Sequence, residues 1–183
     1  VIQGERVRLR SIEREDLPRF VQWFNDPEVR DNLDLFLPMS LVEEEKWFEE
    51  VLERDPVERP LAIDFLDGEN WIHLGSCGWF SFNQQARHAT LGISIGEKSY
   101  WDRGIGTDAI QTLLRHSFET LNLNRVYLHV HESNRRAIQV YQKLGFKEEG
   151  RLRDDRFAHG VYEDTLIMGI LRTEWNASNQ EKA

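Results

Sequence analysis

The chain is 183 residues long, with 40% apolar and 30% charged residues, one cysteine and a formal net charge of −9. Such a composition suits one globular domain that buries a core without covalent staples, and a lone cysteine excludes an internal disulfide framework. The negative charge argues against binding a nucleic-acid backbone, and no apolar run approaches the ~18 residues of a membrane span.

The charge is unevenly placed. Residues 13–69 hold 18 acidic against 6 basic side chains, a net of −12, while the remainder carries +3. Two surfaces with different partners are implied, a cationic ligand near the first and an anionic one near the second; a solvated acidic helix is the plainer alternative. Cys77 sits in an apolar run and reads as a small buried hydrophobe. The N-terminal residues lack the basic-then-apolar layout of a signal peptide, so a cytoplasmic location is the expectation. The polar stretch Asn176 to Ala183 is expected to fray, which leaves 1–175 as a single domain.

In chain order, Arg6 to Ile12 alternates as a first strand with one buried face. Leu17, Phe20, Val21 and Phe24 are spaced as an amphipathic helix, with Pro18 tolerable in its first turn and Asn25-Asp26-Pro27 ending it. Val29 to Met39 has no clean period and reads as a loop or a short helix. Ser40 with Glu43 three residues on forms a capping box for a second helix lined by Leu41, Val42, Trp47, Phe48, Val51 and Leu52. Pro60 to Leu66, Trp71 to Phe82 and Ala86 to Ile95 read as three consecutive antiparallel strands. From Gly104 a helix runs with Ile105, Ala109, Ile110, Leu113, Leu114, Phe118 and Leu121 on one face. Arg125 to His131 is a strand; Ser133 or Asn134 caps a short helix that Gly145 stops; a hairpin turns at His159-Gly160. The order predicts one α+β domain whose sheet is mostly antiparallel and parallel only around the Gly104 helix.

Two stretches carry chemistry. Trp101-Asp102-Arg103-Gly104-Ile105-Gly106-Thr107 delivers Gly-x-Gly to a helix N-terminus, where free N–H groups and the positive dipole end make an anion site. Glycines there let the backbone approach phosphate oxygens; a mere tight turn is the alternative. The dinucleotide fingerprint G-x-G-x-x-A is met formally by Gly104 to Ala109, with Glu132 as a ribose ligand, but the doubly wound sheet that should follow is missing. A P-loop is excluded because no Gly-Lys-Ser/Thr follows.

The second stretch is Asn134-x-x-Ala137-x-x-x-Tyr141-x-Lys143-x-Gly145-Phe146. Helical offsets of three and seven put Asn134, Ala137 and Tyr141 on one face: an amide, a small residue and a phenol. With the glycine turn upstream, the chain resembles the GCN5-related N-acetyltransferases (GNAT). Arg8-Leu9-Arg10 leading to Asp16-Leu17, and Asn25-Asp26-Pro27-Glu28-Val29, look like the ribosomal-protein acetyltransferase branch. Tyr127-Leu128-His129-Val130 and the run from Glu149-Gly150 to Tyr162 and Asp164 resemble the spermidine acetyltransferase branch. The resemblance implies the GNAT-type acyl-CoA N-acyltransferase fold, a mixed, mostly antiparallel sheet flanked by helices in the order β-α-α-β-β-β-α-β-α-β-β. It also implies acetyl-CoA as cosubstrate, with no metal. Ile93 and Ile95 would hold the pantetheine arm through their backbone, and the turn Arg103, Gly104, Ile105, Gly106, Thr107 would cradle the pyrophosphate. Asn134 would meet the pantetheine end, Ala137 would allow close approach, and Lys143 with Arg135 or Arg136 would meet the adenosine phosphates. Trp101 stands where that family usually has Gln or Arg.

An acceptor amine must then lose a proton and attack the thioester, and the CoA thiolate must leave. Tyr141 is suited to protonate that thiolate, since a phenol (pKa about 10) can serve a thiol (about 8.5) within reach; core packing is its alternative role. His129, opposite the apolar side of its strand, would pass protons through water or merely sit at the surface. His129, His131 and Glu132 lack a further spaced ligand for a metal. Glu28, Asp31, Asp34 and Glu45 are candidates for holding a cationic acceptor: a polyamine, a small-molecule amine or a protein N-terminus. The rival readings are a catalytically silent acyl-CoA sensor and, further off, a dinucleotide-binding protein. A homodimer is kept as an open expectation.

Overall fold

The computed structural model describes residues 1–180. Its elements are β1 (Ile2–Gln3), β2 (Val7–Ser11), α1 (Leu17–Phe24), α2 (Pro27–Arg30), α3 (Leu41–Leu52), β3 (Leu61–Asp67), β4 (Asn70–Asn83), β5 (His88–Ile95), α4 (Ile105–Arg115), β6 (Arg125–His131), α5 (Arg135–Lys143), β7 (Lys147–Ala158), β8 (Val161–Leu171) and α6 (Arg172–Gln180). The strands order as β1-β2-β3-β4-β5-β6-β8-β7. The pair β5–β6 is parallel, as the helix between them requires, and the recorded pairs β1–β2, β2–β3, β3–β4, β6–β8 and β7–β8 are antiparallel.

The chain divides into two compact units. The first comprises Val1–Trp79 and Gly92–Leu113. Its helical core gathers Ile12, Leu17, Phe20, Trp23, Val29, Phe48 and Ala62. Two capping boxes start these helices where the chain leaves extended backbone. Glu13 with Asp16 opens the single 3-10 turn before α1, and Ser40 with Glu43 opens α3. The expected end of α1 at Asn25-Asp26-Pro27 is also a beginning, since Asp26 accepts from the Glu28 N–H and caps α2. The Val29–Met39 stretch is therefore helical only at its start.

Beneath these helices lies an ion-pair network. The Arg10 guanidinium donates to both Asp16 oxygens, at 2.7 and 2.9 Å, and through Nε to Asp64 at 2.9 Å. Arg8 Nε donates to the same Asp64 oxygen at 2.9 Å. Burial alone would raise the Asp16 pKa, but its hydrogen bonds from Arg10 and His73 hold the carboxyl well below the usual range.

The second unit comprises Phe80–Leu91 and the chain from Leu114 onward. There β6 lies between β5, at His88–Thr90, and β8, with β7 outside β8. After α4 the helix loosens into a π turn over His116–Thr120, closed by the Leu121 N–H on the His116 carbonyl at 2.9 Å. Gly145 ends α5 at φ 94°, a left-handed value that favours glycine. The stretch expected to fray from Asn176 instead continues α6 to Gln180. Trp175 explains the difference: it is buried, with its ring 5.9 Å from Phe118, and that anchor lets the helix run on. The boundary expected at 175 thus falls inside a helix; residues 181–183 lie outside the described residues.

Candidate active site

The glycine turn is built by its own backbone. Asp102 and Gly104 take φ of 61° and 78°, and the Asp108 N–H donates to the Gly104 carbonyl at 3.0 Å. Gly104 therefore opens α4, and the N–H groups of Ile105, Gly106 and Thr107 have no carbonyl one turn back to meet. Gly106 is the telling residue. Its φ is not left-handed, and a Cβ placed on it would find only Ile95 Cγ1, at 4.0 Å. A helical glycine costs up to about 1 kcal/mol relative to alanine, and neither conformation nor packing within the protein accounts for it. The bare backbone fits a ligand that comes close, as a pyrophosphate does.

The residues around the turn are held in place. Trp101 donates from its indole to the Ile95 carbonyl at 2.9 Å and packs on the helical core. The residue that departs from the family pattern thus ties the turn to the end of β5, and it takes up a hydrogen bond of Ile95, one of the two residues whose backbone was expected to serve pantetheine. Ile93 lies half-buried on β5. Arg103 stacks over the Tyr100 ring at 4.7 Å, and Tyr100 donates to Asp67 at 2.6 Å. Asp108, a bystander in the sequence reading, accepts N–H bonds from Glu5, Arg6 and Val7 at 3.1, 2.7 and 3.0 Å.

In the second unit, Asn134 caps α5, its Oδ1 accepting from the Ala137 N–H at 3.2 Å. It stands just outside the helix, so the shared face belongs to Ala137 and Tyr141, while the Asn134 oxygen serves the cap and its amide nitrogen has no role in it. Tyr141 is 8% exposed with its ring 5.7 Å from Phe146, and burial pushes its phenol up to about 12. Lys143, Arg135 and Arg136 are exposed on α5. His129 is exposed on β6, edge-on to Tyr127 at 5.9 Å.

The acidic candidates fare unequally. Glu28 is already answered by Lys98, whose ammonium lies 2.8 Å from both Glu28 and Asp26 and is pushed up to about 12 by these carboxylates, Asp26 first. Asp31 is half-buried, Asp34 exposed and Glu45 half-buried. A carboxylate that sequence reasoning passed over is the most withdrawn of the α3 acids. Glu44 is 2% exposed, and its Oε1 has no hydrogen-bond partner among the described residues. The signal was available: Glu44 stands four and seven residues before Phe48 and Val51, on the stripe α3 buries.

A mixed, mostly antiparallel sheet, parallel at β5–β6 across the crossover helix α4 and followed by the short helix α5, has the architecture of an acyl-CoA N-acyltransferase. The family profile described as an acetyltransferase (GNAT) domain matches residues 6–147. Spermidine N(1)-acetyltransferase of Escherichia coli (strain K12) is 30% identical over 185 residues, covering 95% of this chain and 90% of its own length. The N-acetyltransferase p20 of Bacillus licheniformis is 28% identical over 172 residues, with 93% and 96% covered. The spermidine N-acetyltransferase from Vibrio cholerae, in complex with CoA and spermine, superposes with a TM-score of 0.84 at 27% identity over 93% of this chain and 98% of that one. The chain belongs to the GNAT acetyltransferase family and is an acetyl-CoA-dependent N-acetyltransferase.

Proposed function

We propose that this enzyme acetylates a cationic aliphatic amine by direct transfer, with Tyr141 as the acid that serves the leaving thiolate. The bare Gly106 carries the cofactor half of this reading: the N–H groups of Ile105, Gly106 and Thr107 take the pyrophosphate of acetyl-CoA, and Arg103 adds charge. Asn134 through its amide nitrogen, with Ile93, supports the pantetheine arm; Lys143 with Arg135 or Arg136 serves the adenosine phosphates. The acidic surface of residues 13–69 and the likeness to spermidine acetyltransferases support a polyamine-type acceptor over a neutral one.

The acceptor ammonium sheds a proton, its nitrogen attacks the thioester carbon, and the C–S bond breaks toward CoA. A phenol raised to about 12 is a weaker acid than a free one. It therefore delivers its proton only as charge gathers on sulfur, and is restored by the proton the amine gives up through water. His129, exposed on β6, is the proposed entry to that water. Replacing Tyr141 by Phe removes one oxygen while keeping the ring against Phe146. Turnover should fall by at least about 100-fold with the acetyl-CoA dissociation constant unmoved, as read by CoA release and calorimetry. Turnover equal to wild type would refute the acid role. Acetyl-CoA binding with no turnover of any primary amine by the wild type would favour the silent sensor.

A further inference from the structure

The helical unit contains one carboxylate that no side chain among the described residues answers. Glu44 is 98% withdrawn from solvent by its 2% exposure, Oε1 is buried without a partner, and no ion pair to it occurs among the described residues. Every other strongly buried acid of this unit is compensated: Asp16 by Arg10, and Asp64 by Arg8 and Arg10. A buried carboxylate without a partner is among the costlier features a fold can carry, and burial pushes this carboxyl up to about 7. Helix geometry places Trp47 and Phe48 beside it, three and four residues on, so aromatic surface flanks the charge.

We propose that Glu44 is the anionic anchor for the acceptor, taking an aliphatic primary ammonium as the ion-pair and hydrogen-bond partner the fold withholds. This rests on the amine-acetyltransferase reading above and names the substrate class it uses. An ammonium supplies both missing elements, positive charge and N–H donors, and the flanking rings favour a cation over a neutral amide. A divalent metal fits less well, because it needs several oxygen ligands and no group of three or more metal-type side chains occurs among the described residues. Glu28, one of the four acids the sequence offers for this role, is held by Lys98 and so is poorly suited to the same task.

The test compares wild type, Glu44→Gln and Glu44→Asp as full chains saturated with CoA, using spermidine, putrescine and n-butylamine as calorimetric probes. Glu44→Gln keeps shape and removes charge. It should weaken amine binding at least about thirtyfold, and raise KM for the amine by a similar factor with kcat within about threefold. The acetyl-CoA dissociation constant should stay unchanged, and Glu44→Asp should recover part of the loss. Amine binding by Glu44→Gln equal to wild type, or no binding of any of the three amines by wild type, overturns the inference. Because calorimetry reads binding without chemistry, amine binding that depends on Glu44 in an enzyme that never turns over would refute the acetyltransfer reading and leave the anchor standing.

Discussion

At the scale of single residues, Gly106 and Glu44 make the same kind of argument: each is a local cost the protein does not itself repay. Alanine at Gly106 meets no protein atom closer than 4.0 Å, so Gly106→Ala should raise helix stability by about 0.5–1 kcal/mol. The same methyl group occupies the approach to the N–H groups, and acetyl-CoA affinity should fall. Gly106→Glu adds a carboxylate against the pyrophosphate and should abolish binding while the protein still melts cooperatively. Calorimetry against acetyl-CoA, paired with thermal melts, decides it. A Gly106→Glu protein that binds normally would place the phosphates elsewhere. The glycine was visible in the sequence because its spacing is a recognised pattern. Glu44 showed only its place on the Phe48–Val51 stripe; a charged residue within an acidic run reads as solvated until packing shows that α3 buries it.

At the scale of elements, the sequence was legible where structure is set within a few residues. The Ser40 capping box, Pro18 in the first turn of α1, and Asn134 with Gly145 bracketing α5 are local signals, and each recurs in the structure. Less legible were contacts between distant residues. Asp108 gathers three N–H groups from residues 5–7, about a hundred positions away in sequence, and no periodicity marks which acid meets which amide. Those amides join β1 to β2, while Asp108 sits in the first turn of α4, where a carboxylate also complements the helix dipole. Asp108→Ala would orphan three donors, two of them on exposed backbone that water can serve. The expected loss is about 1–3 kcal/mol, read as a lowered denaturation midpoint. Amide exchange at Glu5, Arg6 and Val7 should quicken more than in α3. Unchanged exchange at those three amides would show that the carboxylate does not hold them. The short β1 and the continuation of α6 were missed for a related reason: one is held by pairing and the other by Trp175 on Phe118, neither of which propensity records.

At the scale of the whole molecule, charge is the property that the sequence stated most directly and that folding least alters. The net of −12 over residues 13–69 against +3 elsewhere sets a long-range field that favours cations, whichever carboxylate finally holds them. Two contributions should then separate by salt. The diffuse field is screened once the Debye length contracts from roughly 10 Å at 0.1 M to about 3 Å at 1 M salt, whereas a partner held by the buried Glu44 is screened far less. For a multiply charged acceptor such as spermidine, KM should rise several-fold across that range; for singly charged n-butylamine it should rise much less. Glu44→Gln should shift both curves upward without changing their slopes, because the buried anchor and the surface field act independently. Measuring KM for both amines in wild type and variant at four salt concentrations checks this. A spermidine KM indifferent to salt would mean that the acidic surface is only a solvated face, as its plainer reading had it, and would leave recognition to the buried carboxylate alone.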